Sequence, residues 1–242
     1  LGVLVLSYFF SVNNIEANEN KDQPEKGYSK QIKRSVTTDK FMVSTANPIA
    51  TNAGYKVLRS GGSAIDAVVA IQMVLNVVEP QSSGIGGGAF ILYWDEKTKQ
   101  LYSFDGRETA PKSLNSNYFI TSDGRKKSFW EAVQGGGSVG VPGTLRLMEF
   151  VHQRYGIVDW SELFQPAIRL ARDGFLVSPR LAKSISGAQK RGLDSFPAAR
   201  AYFFKEDLKP KLANTILLNK PLAETFDLIS KEPHGLGLEP SY

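Results

Sequence analysis

AIDAVVAIQMVLNVVEPQSSGIGGGAFILYW, residues 64–94, sets a helix, a glycine cluster and a strand in that order. From Ala64 to Val78 the only polar residues are Asp66, Gln72 and Asn76. A helix that is apolar nearly all round has to be buried on both sides. This one is too short and too polar to cross a membrane, so it is expected to be a central helix ended by Pro80. AFILYW, residues 89–94, is a continuous apolar run and predicts a buried strand. Between them, Gly84-Ile85-Gly86-Gly87-Gly88-Ala89 formally satisfies the dinucleotide fingerprint G-x-G-x-x-G/A. That fingerprint needs a strand before the glycines and a helix after them, because the helix N-terminus holds the pyrophosphate. Here the order is reversed. The glycines therefore predict close backbone approach and a compact crossing into the strand, placed to line a site, rather than a phosphate cradle.

Upstream, FMVSTA (41–46) predicts a short strand. Asn47-Pro48 is an N-cap followed by proline at the first helical position, opening a helix to about Arg59 that Gly61-Gly62 stops. Ser63 with Asp66 caps the central helix. Downstream, DEKTK turns the chain and QLYSFD returns it, so 89–105 predicts a hairpin. Residues 111–135 predict a polar loop, and Thr144 to Tyr155 a helix stopped by Gly156. Asp159 with Glu162 predicts another capping pair, Pro166 a restarted helix to Gly174, and Ser178-Pro179 one more helix. No stretch repeats. The order of elements predicts an α+β or layered α/β fold.

Net charge is +5, with lysines and arginines scattered; the densest group, Arg125-Lys126-Lys127, follows an Asp-Gly turn. A nucleic-acid footprint needs a contiguous basic face, so no nucleic-acid partner is expected. The absence of cysteine removes disulfides, thiolate nucleophiles and cysteine-based zinc sites. Leu1–Phe10 is apolar and too short to span a bilayer. With Ile15-Glu16-Ala17 as a cleavage site it predicts part of an export signal over 1–17, followed by a flexible leader over 18–40. A buried N-terminal strand is the alternative for the apolar run.

Gly136-Gly137-Ser138-Val139-Gly140 matches the nucleophile elbow G-x-S-x-G, but no strand precedes it and the only histidines are His152 and His234. A structural turn is the favoured reading. Two isolated histidines make no metal site. FDGRETAP, residues 104–111, places Arg107 just past a strand end. Arginine holds a carboxylate through two parallel hydrogen bonds, which lysine cannot imitate. Spacing alone leaves two readings open: an anchor for an acidic substrate, or an ion pair with Asp105 or Glu108.

Five runs, taken in order, resemble the γ-glutamyltransferase (glutathione hydrolase) family: STANPIATNAGYKVLRSGGSAIDAVVAIQMVLNVVEPQSSGIGGGAF (44–90), DGRETAP (105–111), GGGSVGVPGT (135–144), LFQPAIRLARDGFLVSP (163–179) and ANTILLNKPLAETFDLI (213–229). The resemblance covers residues 41–230, the front of the family's large subunit, and leaves 231–242 as a divergent tail, as a frameshift or early stop would. It implies part of an N-terminal nucleophile hydrolase αββα sandwich, cut from a precursor into large and small subunits. It also implies glutathione and other γ-glutamyl compounds as substrates, export to the periplasm or medium, and no metal or cofactor. Arg107 matches the family arginine that pairs with the α-carboxylate of the γ-glutamyl group. The resemblance places the catalytic threonine in the small subunit, and no run here matches it. The chain alone is therefore expected to be inactive, with a small-subunit portion as the partner it needs. A non-catalytic partner subunit and an exported binding module for acidic peptides are the alternatives.

Overall fold

The computed structural model describes residues 35–231. The signal segment 1–17, the first part of the leader, His234 and the tail from 232 lie outside the described residues.

Two capped helices start the fold. Helix α1, Pro48–Arg59, opens where the Asn47 side chain accepts the Ile49 N–H at 3.0 Å. Helix α2, Ala64–Val78, opens on a reciprocal box: the Ser63 N–H donates to Asp66 Oδ2 at 2.7 Å and the Asp66 N–H to Ser63 Oγ at 3.1 Å. Gly61, at φ +92°, makes the turn between them. The Asp66 carboxylate is fully buried and also accepts the Ile157 N–H, pinning a distant loop to the start of α2.

A hairpin follows, β1 at Ala89–Asp95 and β2 at Gln100–Gly106, antiparallel with Ile91 opposite Phe104 and Trp94 opposite Leu101. Its inner face sets Tyr93, Tyr102 and Phe104 against Tyr155, with ring centroids 4.5–6.2 Å apart. The outer face is bare: Phe90, Leu92, Trp94 and Leu101 are 64%, 71%, 52% and 63% exposed. The expectation of a buried strand is thus corrected. β1 is half-buried, although its sequence carries apolar residues on both faces.

Residues 107–143 make an excursion over the surface and return. Within it, residues 111–135, expected to be loop, contain a short helix, α3 at Phe129–Val133, capped by Ser128 and Glu131. Helices α4, Thr144–Tyr155, and α5, Trp160–Asp173, come next. Pro166 does not restart a helix; it lies inside α5. Asp159 gives α5 no side-chain cap, and the Glu162 N–H donates instead to the Asp159 backbone carbonyl at 3.0 Å. Gly174, at φ +97°, ends α5. The remainder is β3 (Phe175–Leu176), α6 (Pro179–Gln189), a short 3-10 turn, α7 (Pro197–Phe203), β4 (Ile216–Leu217) and α8 (Lys220–Lys231), with β3 antiparallel to β4. Phe41–Ala46 forms no strand: its backbone pairs with no neighbour among the described residues.

The core gathers around α2, which packs against α1, α4 and α5, while α8 packs against α5. Met73, Val74, Phe164, Ile168 and Phe226 are fully buried there. Each such side chain contributes about 1.5–3 kcal/mol relative to leaving it in water. The class is α+β, with the strands of the described residues in two separate antiparallel pairs.

Candidate functional site

Arg107 sits one residue past β2, where the chain leaves the hairpin. Its backbone N–H donates to Asp105 Oδ1 at 2.9 Å, so Asp105 shapes the turn and does not pair with the guanidinium. Glu108 does: its Oε2 lies 3.3 Å from Arg107 Nη2. That oxygen is withdrawn from water and accepts no aligned hydrogen bond, so the contact is ionic rather than hydrogen-bonded. The Arg107 side chain stays 54% exposed and leans over the Phe90 ring, 5.9 Å from its centroid.

Three glycines on two segments press against residues 106–109. A β-carbon on Gly88 would lie 2.7 Å from both the Arg107 Cα and the Glu108 N. One on Gly140 would lie 2.8 Å from the Glu108 Cβ, and one on Gly143 would collide with the Gly106 carbonyl. Hydrogen bonds close the arrangement. Thr109 and Val141 exchange backbone bonds at 3.4 and 2.8 Å, and the Gly87 carbonyl accepts N–H groups from both Gly143 and Thr144 at 3.0 Å. Within the glycine cluster, Gly88 therefore packs backbone on backbone against Arg107 and Glu108, while Gly84 and Gly86 face open space. The Gly87 carbonyl meets the N-terminus of α4 and satisfies N–H groups that the helix itself leaves free.

Arg107, Glu108 and the turn at Gly137–Gly140 border a groove of about 360 Å³. Ser138 shares it. Helix α3 and a turn precede that serine, with no strand, and Val139 N–H donates to the Gly136 carbonyl at 3.2 Å, so the G-x-S-x-G run is a turn. His152 is elsewhere: Nε2 lies 2.8 Å from the Val158 carbonyl and 3.5 Å from Asp66, beneath the Trp160 ring. Arg125 is paired with Glu131 through two hydrogen bonds at 2.9 and 3.0 Å. Among the described residues no three His, Asp or Glu side chains gather as metal ligands, and no helix is long and apolar enough to cross a membrane. A larger groove of about 580 Å³ runs between α1 and α5, with Lys56, Arg169, Glu162 and Asp173 along it. The sequence signalled Arg107 but not the rest of the groove lining, built from Pro111, Leu114 and Phe119, read as plain loop, and from 137–140, read as a structural turn. The signal available for the convergence was the recurrence of glycine at 88, 106, 140 and 143.

A family model described as Gamma-glutamyltranspeptidase matches residues 50–236. The glutathione hydrolase proenzyme of Bacillus subtilis (strain 168) is 39% identical over 225 residues, 93% of this chain and 38% of that protein. Glutathione hydrolase 3 of Arabidopsis thaliana is 38% identical over 200 residues, 83% of this chain and 30% of that protein. Among solved structures, the γ-glutamyltranspeptidase of Helicobacter pylori superposes with a TM-score of 0.76 at 33% identity, covering 82% of this chain and 56% of that one. The chain thus spans well under two thirds of these relatives.

Proposed function

The chain belongs to the gamma-glutamyltranspeptidase family, and from that premise we propose that it supplies the substrate-anchoring part of an enzyme that cleaves γ-glutamyl amides. Its fold is the corresponding portion of an N-terminal nucleophile hydrolase sandwich. In this reading the α-carboxylate of a γ-glutamyl donor such as glutathione docks on the Arg107 guanidinium at the lip of the groove. The nucleophile, the first threonine of a small subunit, belongs to polypeptide outside these 242 residues. Its free α-amino group takes the proton from its own hydroxyl. The oxygen attacks the γ-carbonyl, and backbone N–H groups stabilise the oxyanion. The amide C–N bond then breaks, the amine departs with the proton, and water or an amino-acid acceptor releases the glutamyl group. Without that threonine the 242 residues alone have no such activity. Export belongs to the same reading, supported by the apolar run Leu1–Phe10.

The observation that carries this is the position of Arg107: half exposed, its backbone held against Gly88 and Gly143, at the edge of a groove. In the whole enzyme, Arg107→Ala removes a charge-assisted contact worth about 1.5–3 kcal/mol, and KM for a γ-glutamyl donor is expected to rise at least about tenfold. Arg107→Lys should rescue little, because a point charge does not replace the two-pronged grip. An unchanged KM in both variants overturns the assignment. Glutamate release from glutathione by the purified 242-residue chain overturns the division of labour.

A further inference from the structure

The groove at Arg107 is lined by two charged residues adjacent in the chain, Arg107 and Glu108, by the hydroxyl residues Thr109 and Ser138, and otherwise by apolar residues and glycine. Arg107 and Glu108 form the polar lip, while Pro111, Leu114, Phe119 and Val139 form an apolar wall. Leu114, Phe119 and Val139 remain 39%, 37% and 56% exposed. The wall is built from hydrogen-bonded turns. Leu114 N–H donates to the Pro111 carbonyl at 2.9 Å, and Lys127 N–H to the Phe119 carbonyl at 2.8 Å. The Tyr118 ring braces Phe119 edge-on, 5.1 Å between centroids. Apolar side chains held in place before a ligand arrives cost little ordering entropy when one binds.

We infer that this groove selects γ-glutamyl compounds whose amide nitrogen carries an aromatic or branched apolar group, with Phe119 and Leu114 as the residues that read that group. The inference rests on Arg107 anchoring the glutamyl carboxylate. With that end fixed by charge complementarity, the side-chain carbons of the glutamyl unit carry the amide away from the lip and towards the wall. A volume of about 360 Å³ suits a dipeptide-sized molecule. A leaving group such as glycine leaves the wall in water and gains nothing from it, whereas a phenyl or isobutyl group removes apolar surface from water on both partners.

The test compares γ-glutamylphenylalanine with γ-glutamylglycine as donors in the whole enzyme, by kcat/KM. The unaltered enzyme is expected to favour the phenylalanine donor. Phe119→Ser should lower the ratio of the two kcat/KM values by about tenfold, and Leu114→Ser, on a separate turn, should lower it in the same direction. Because the readout is a ratio, a general loss of folded enzyme cancels. An unmoved ratio in both variants overturns the inference. If Arg107→Ala then still depresses both donors, only the apolar selection has failed. If Arg107→Ala affects neither donor, the carboxylate anchor has failed and the selection with it.

Discussion

Gly88 and Glu108 touch so closely that a β-carbon on the glycine would stand 2.5 Å from the Glu108 carboxylate. The carboxylate alone could swing aside. The Arg107 Cα and the Glu108 N, both 2.7 Å from the same imagined carbon, could not, because the Thr109–Val141 pairing holds that backbone. Gly88→Ala is therefore expected to push the segment carrying Arg107 outward. Overpacking of this kind costs about 1–3 kcal/mol. In the whole enzyme, KM for a γ-glutamyl donor should rise while the far-ultraviolet circular dichroism stays unchanged. A variant with normal KM would mean that Arg107 does not need the glycine contact for its placement.

A second constraint lies beneath the glycine cluster. Glu79, at the end of α2, is 2% exposed. Its Oε1 accepts from Asn47 Nδ2 at 2.8 Å, Gln81 donates to its Oε2, and Arg180 Nη1 stands 3.3 Å from that oxygen. One carboxylate thus joins the cap of α1, the exit of α2 and the first turn of α6. Arg180→Ala removes the cation and leaves a buried charge held by neutral donors. It is expected to lower stability by about 2–3 kcal/mol, read as a shift in the urea midpoint. Replacing Glu79 by Gln in the same protein should recover part of the loss, since the neutral amide no longer requires a cation. Failure of the double variant to recover would show that Arg180 acts by packing.

The caps of α1 and α2 were legible because each is a local event: Asn47, Ser63 and Asp66 bond to N–H groups two or three residues away. The hairpin was legible for the same reason, its strands being separated by a four-residue turn. Its buried face was not, since AFILYW is apolar at every position and has no period to report which side meets water. FMVSTA carries strand composition but finds no pairing partner, and partners are set by the fold. Pro166 reads as a helix start, yet tertiary packing of Leu163, Phe164 and Ala167 keeps α5 running through it. Arg107 was marked by residue type and position. The groove beside it was not, because it depends on Thr109 meeting Val141 and on Gly140 meeting Glu108, contacts some thirty residues apart along the chain.

The bare outer face of the hairpin has a consequence for the isolated chain. Phe90, Leu92, Trp94 and Leu101 lie side by side on a two-stranded ribbon. Such a face favours association. The 242-residue chain is expected to self-associate at micromolar concentration, and Leu92→Lys, central in the patch, should shift sedimentation towards monomer. The same substitution at Ser103, opposite Leu92 and already polar, should do less. Equal effects from the two changes would point to net charge rather than to the apolar face.

Acid should loosen the groove wall through Glu131. This carboxyl is held well below the usual range, first by the Arg125 side chain and then by the Ser128 backbone and hydroxyl. A depressed folded pKa means that the stabilisation is fully present above the unfolded value of 4.5 and is lost as pH falls below it towards the folded value. The pair ties the Thr121–Arg125 turn to α3, and that turn adjoins the Phe119–Lys127 bond that positions the wall. Trp130, on α3 beneath the Arg191 guanidinium at 4.5 Å, reports the event. Its fluorescence is expected to titrate below pH 4.5 before the core unfolds. Glu131→Gln keeps the size of the side chain but not its charge, so this early transition should disappear, leaving the α3 region loose at neutral pH. An early acid transition that persists in Glu131→Gln would assign the sensitivity to another carboxyl.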